Sequence, residues 1–190
     1  FQSNSNPSFL KEKYHLTKGI YQYRQANMDS SIYYYKKADE YFSANDSTFQ
    51  MAKVRINLAM CYNYKGDYEK TIEAALEALR LFEQLDDLKG ISISNNIIAH
   101  VYFARQDHKS ALSYMKKYLQ NAMKSNDTGE IISAYNNIGA TYTAMKQYDS
   151  SNFYLEKALA LTKADRNLLQ MSSQLENIGG NHMEMKHYEE

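Results

Sequence analysis

The chain has 190 residues, 44% of them hydrophobic and 23% charged, ordinary proportions for a folded chain able to bury a sizeable core. Lys plus Arg equals Asp plus Glu, at 22 each, so there is no basic footprint of the kind a general nucleic-acid binder needs. No run of about 18 apolar residues is present to span a membrane, and the single cysteine, Cys61, can close no internal disulfide and leaves the compartment open between cytoplasm and periplasm.

In chain order, residues 1–7 read as a tag remnant (FQSN) and a loose polar leader, and the chain ends at HYEE as a further helix is due to begin, so both ends read as cuts from a longer protein. Ser8 is expected to cap a first helix over Phe9–Gln25, and Asn27 a second over Met28–Ser43. Further helices are expected over Thr48–Tyr64, Tyr68–Leu85, Leu88–Arg105, His108–Lys124, Thr128–Lys146, Tyr148–Lys163 and Leu168–Lys186. Asp67 and Asp107 share the column of Asn27 and should cap likewise, whereas Gln147 should cap less well. Gly66, just before Asp67, fits a helix-ending residue with positive φ. The junctions SANDST, QLDDLK, KSNDTG and KADRNL read as short capped turns, with Asp46, Asp86 and Asn126 in one column and Arg166 departing from it. No strand alternation and no Pro/Gly-rich linker interrupts the helical pattern.

The segments repeat. Stepping by 40 from Gly139 reaches Gly179, Ala99, Ala59 and Gly19, all small. Tyr142 aligns with Tyr102 and Tyr62; Ile138 aligns with Ile178, Ile98 and Leu58. Ser151 aligns with Ala111, Thr71 and Ser31, and Ala158 with Ala78 and Ala38, Tyr118 being the misfit. Several independent columns on one period are the signature of a stacked array, with repeats near 8–46, 47–86, 87–126, 127–166 and an incomplete 167–190. Small residues let paired helices approach, and large ones fill the grooves between ridges.

These columns resemble the tetratricopeptide repeat. Tyr135, Ile138-Gly139, Tyr142, Ser151, Leu155 and Ala158 fill its slots. Its usual first-slot Trp is absent; His15, Arg55, Asn95, Tyr135 and Leu175 stand there. The ordinary repeat has about 34 residues; the longer period here is assigned to longer helices at the junctions and is similar to that of kinesin light chains, Leu-Gly-Asn-repeat spindle adaptors and bacterial peptide-sensing regulators. The resemblance implies an all-α, right-handed superhelical solenoid of about four and a half helix pairs, with the first helix of each pair lining a concave, ligand-binding face.

On that face asparagine recurs, at Asn57, Asn137 and Asn177 in one column, with Ile97 interrupting it, and at Asn96 and Asn136 one step before. An amide offers both donor and acceptor, so such a column can pair with the backbone of an extended peptide without reading its sequence; the same amides could instead fix the stacking of the repeats. Tyr23, Met60, Tyr64, His100 and Phe103 are the other main candidates for this face, with Ala140, Thr143 and Met183 beside them. A dicarboxylate clamp, as in chaperone-binding members, is not expected, because Ile20, Met60 and His100 stand where Asn would help. Of Tyr33, Tyr34 and Tyr35, consecutive residues that a helix spreads around its circumference, Tyr35 fits a buried slot. His182 and His187 are badly spaced for a metal. No HExxH, GxSxG, P-loop or Gly-rich dinucleotide turn is present, so neither catalysis nor a cofactor is expected.

Three readings follow: a non-catalytic scaffold for an extended peptide or protein segment; a sensory or assembly segment of a larger bacterial transcriptional regulator or kinase, with a membrane anchor as one option; and a self-association module, dimerising through the uncovered last helix.

Overall fold

The computed structural model describes residues 7–164 and 167–187. Among these residues there are nine helices and no strand: α1 (Pro7–Arg24), α2 (Met28–Ala44), α3 (Thr48–Tyr64), α4 (Tyr68–Gln84), α5 (Leu88–Ala104), α6 (His108–Ser125), α7 (Thr128–Ala144), α8 (Tyr148–Ala164) and α9 (Leu168–His187). The expectations placed on residues 1–6, Arg166 and the last residues 188–190 lie outside the described residues.

The helices stop where a left-handed residue stops them. Positive φ occurs at Ala26, Asp46, Gly66, Asp86, Gln106, Asn126 and Lys146, one residue in every 20. After each comes a backbone N–H that reaches five residues back, as Asp67 N reaches Tyr62 O and Asp107 N reaches Tyr102 O, the closure that satisfies orphan carbonyls at a helix end. The backbone unit is therefore one helix and its turn, and the period of 40 arises because alternate helices carry different faces. The extra length is not confined to the junctions: both helices of the pair α3–α4 run 17 residues, as do α5 and α7.

Helix starts correct two expectations. Ser8 lies inside α1, which begins at Pro7, a residue suited to a first helical turn because it lacks an N–H that would go unpaired there. Asn27 precedes α2 without a side-chain cap bond. Asp67 and Asp107 do cap, accepting from Lys70 N and Ser110 N. At the junctions, Asp46, Asp86 and Asn126 are the left-handed residues; after the last two the next residue caps, Asp87 accepting from Gly90 N at 3.2 Å and Asp127 from Glu130 N at 3.0 Å, as Asn167 does from Gln170 N at 3.2 Å, whereas Ser47 precedes α3 without a side-chain cap bond.

The chain divides into two compact units, Phe1–Val101 and Tyr102–Glu190, with the division inside α5. In the first, Ala52, Ile56, Ala78, Leu81 and Phe82 form a core on which Met51, Ile91 and Ile97 pack. Gly19 faces the Tyr35 ring so closely that a Cβ would lie 2.7 Å from it, and Tyr35 is 2% exposed as its slot requires. Ser31 Oγ donates to Gly19 O at 2.9 Å and accepts from the buried Cys61 thiol at 3.4 Å. Arg55, in the slot the family gives to Trp, bridges Asp39 at 3.4 Å and Glu77 at 3.1 Å, joining α2, α3 and α4 by charge where a ring would join them by packing.

In the second unit Ile132, Tyr135 and Ala158 form the core, with Leu119, Ile131, Tyr154 and Leu161 against it. Tyr118, the misfit in the Ala column, is buried, and burial pushes its phenol up to about 12. The last helix is held differently. Asn181 of α9 donates to Ser151 Oγ at 2.9 Å and Asn152 Oδ1 at 2.7 Å of α8, and accepts from Thr143 of α7 at 3.0 Å. Gln174 donates to Thr162 at 3.0 Å and Asn136 at 3.2 Å. A buried amide network thus docks α9.

Candidate functional site

Odd-numbered helices α1, α3 and α5 are the first members of successive pairs, so their equivalent columns recur every 40 residues within the first unit. One column supplies Tyr23 and Asn63, the next Met60 and His100. With Tyr64 and Ile97 these residues line a single depression of about 260 Å³. Met60 and Tyr64 are open to water, at 37% and 64% exposure, while Tyr23 and Ile97 are half-buried and form its inner wall. No formally charged side chain lines it. Burial holds the His100 imidazole below its ordinary value of 6.5, although part of the residue still meets solvent. The Tyr23 phenol is raised from 10.0, first by burial and then by the neighbouring Cys61 and Tyr64. The depression thus has apolar walls and neutral donors and acceptors.

Four of the ten residues singled out from sequence, Tyr23, Met60, Tyr64 and His100, meet here. Asn63 was missed, although it stands one period after Tyr23; Ile97 registered only as a gap in the asparagine column. The asparagines do not gather at the depression. Asn57 and Asn96 are half-buried on α3 and α5, Asn137 is half-buried on α7, and Asn177 is exposed on α9. Asn136 accepts from Gln174, an interhelical bond within the second unit. Phe103 packs its ring on His108, with centroids 5.5 Å apart, across the turn from α5 to α6. Thr143 is likewise committed to the network around Asn181.

A second cleft, of about 130 Å³, lies among Asp39, Arg55, Tyr62, Lys70, Glu73 and Glu77. Its Arg55 is already paired on both sides, so its charges read as glue between helices. Among the described residues no group of three His, Cys, Asp or Glu side chains could hold a metal ion, and no helix is long and apolar enough to cross a membrane.

A family model described as "Tetratricopeptide repeat" matches residues 50–124 and 90–164, together more than half of the chain. The chain belongs to the tetratricopeptide repeat family. No curated protein sequence matches it significantly. Among solved structures, apo RapI is similar over 96% of this chain and 51% of its own, at 20% identity and a TM-score of 0.86. A signal-transduction ATPase with numerous domains from Pyrococcus horikoshii, which carries a tetratricopeptide repeat sensor, is similar over 93% of this chain and 28% of its own, at 16% identity and a TM-score of 0.84. A Rap protein solved in complex with competence and sporulation factor is similar over 95% of this chain and 50% of its own, at 20% identity and a TM-score of 0.73. At these identities the likeness shows the fold, an all-α tetratricopeptide solenoid. The chain spans about half the length of the Rap proteins and about a quarter of the ATPase. As a tetratricopeptide array it is a helical-repeat scaffold of the protein-binding kind, and the first-slot Trp of the family is replaced here by an ion-paired Arg55, a buried Asn95 and a buried Tyr135.

Proposed function

We propose that the chain is a non-catalytic scaffold that binds an extended peptide or protein segment along its first-of-pair helices, with the depression between α1, α3 and α5 as the principal contact. The observation that carries this is the convergence of Tyr23, Met60, Asn63, Tyr64, Ile97 and His100 from the three alternate helices α1, α3 and α5 onto one open, uncharged site. Asn57, half-buried on α3, is assigned to pairing with the backbone of the bound segment. That a Rap protein of this fold has been solved with competence and sporulation factor supports a ligand-binding use. The zero net charge argues against nucleic acid as the ligand. Affinity capture with the chain as bait, followed by calorimetric titration of the captured partner, tests the reading. Tyr64→Ala should weaken binding about tenfold and Asn57→Ala by a similar factor. Unchanged affinity in both would remove this face from the site.

A second reading is a sensory segment of a larger regulator, favoured by the repeat sensor within the much longer Pyrococcus horikoshii ATPase. A full reading frame without any output domain would count against it. Self-association is favoured by Leu168, Leu169, Leu175 and Met183, which stand 52–83% exposed on α9. Sedimentation showing a monomer at every concentration would exclude it.

A further inference from the structure

We infer that the depression between α1, α3 and α5 accepts one bulky, uncharged apolar side chain of the bound segment, and that Ile97 sets this preference. The inference rests on the peptide-binding reading and makes it more specific. Size decides the first part. A volume of about 260 Å³ falls below the roughly 300–1,000 Å³ of sites that enclose a whole small molecule, and it is open to water. It suits one large side chain whose backbone continues along the helices on either side.

Chemistry decides the second part. The lining supplies a thioether, a branched aliphatic chain, two phenols, an imidazole and a carboxamide, and neither a carboxylate nor an ammonium or guanidinium group. A charged anchor would lose water here without gaining a counter-ion, a large cost. A Leu, Met or Phe side chain would displace water from apolar walls instead, and Met60, unbranched and polarisable, can adapt to any of the three. The hydroxyls of Tyr23 and Tyr64 and the Asn63 amide sit among these walls as neutral partners for backbone N–H and C=O groups. The cleft among α2, α3 and α4 is the contrast: it carries Asp39, Arg55, Lys70, Glu73 and Glu77 in a smaller space.

Ile97 is the residue that makes the difference. Its counterpart one period earlier, on α3 of the same unit, is Asn57. Where the column reads Asn, it offers amide pairing; where it reads Ile, it offers an apolar wall.

The test is selection of peptides from a random library displayed on phage, with the whole chain immobilised, followed by titration of the selected peptides. The expected peptides share one Leu, Met or Phe position, and they lose about tenfold or more in affinity for Ile97→Asn and for Met60→Lys. Ile97 also packs on the core of the first unit; Met60, at 37% exposure, does not depend on that packing, so Met60→Lys keeps the test decisive if Ile97→Asn unfolds. Selected peptides that share a charged position, or that bind folded Met60→Lys as tightly as wild type, overturn the inference and leave the peptide-binding reading standing. A selection that yields no binding peptide overturns both.

Discussion

Asn181 and Asn152 lie amide to amide, with Asn181 Nδ2 donating to Asn152 Oδ1 at 2.7 Å in the buried contact between α9 and α8. The same Asn181 amide reaches Ser151 and accepts from Thr143. Three bonds thus converge on one side chain that is 2% exposed. Asn181→Ala would strand several partners at once, and a loss of about 1–3 kcal/mol is expected in urea unfolding. Asn177→Ala, on the exposed side of the same helix, should change stability by less than about 0.5 kcal/mol.

The two glycines at equivalent positions of α7 and α9 should respond in opposite directions. A Cβ on Gly139 would lie 2.8 Å from Leu155 Cγ, and Leu155 is 1% exposed with little room to withdraw. Gly139→Ala is expected to cost about 1–3 kcal/mol through overpacking. Gly179 has nothing within 4 Å of the added carbon, so Gly179→Ala should gain about 0.5–1 kcal/mol of helix propensity. Thermal melts of the two variants check the pair.

The turns offer a third test. Gln106 holds φ at +62° at the position where Gly66 holds +74°. A side chain in that region is strained and glycine is not. Gln106→Gly should raise stability by up to about 1 kcal/mol and Gly66→Ala should lower it by about 1 kcal/mol, as read by chemical denaturation.

His100 gives a prediction with pH. Burial lowers its folded-state pKa below 6.5, so the folded protein takes up this proton later than the unfolded chain does. Its contribution is whole above pH 6.5 and is lost as pH falls from there through the lower folded value. Proton NMR should place the His100 midpoint below 6.5, and the fall in stability on acidification should be shallower in His100→Gln than in wild type.

The period of 40, the small-residue columns and the buried slots of Tyr35, Ser151, Leu155 and Ala158 were legible in the sequence, because close helix packing forces residue size at fixed positions. The finer unit of 20 was not, because side chains on successive helices face different neighbours and only the backbone turn is shared. At the junctions the capped turns were legible but not which residue caps, because Asp and Asn serve both as left-handed residues and as caps, and two of them stand side by side in Asp86-Asp87 and Asn126-Asp127. The depression was half legible. Tyr23, Met60, Tyr64 and His100 followed from their columns, whereas Ile97 looked like a broken motif until its neighbours from α1 and α3 stood beside it. The asparagine column conveyed side-chain chemistry but not competing bonds, such as the one Gln174 makes to Asn136.

The most direct measurement uses the nine methionines, labelled at their methyl groups and followed by NMR as a bound peptide is added. Met60 lines the depression, while Met123, 50% exposed on α6, reports from elsewhere. A large shift at Met60 with Met123 unmoved is the expected result. A shift at Met123 with Met60 unmoved would contradict binding between α1, α3 and α5.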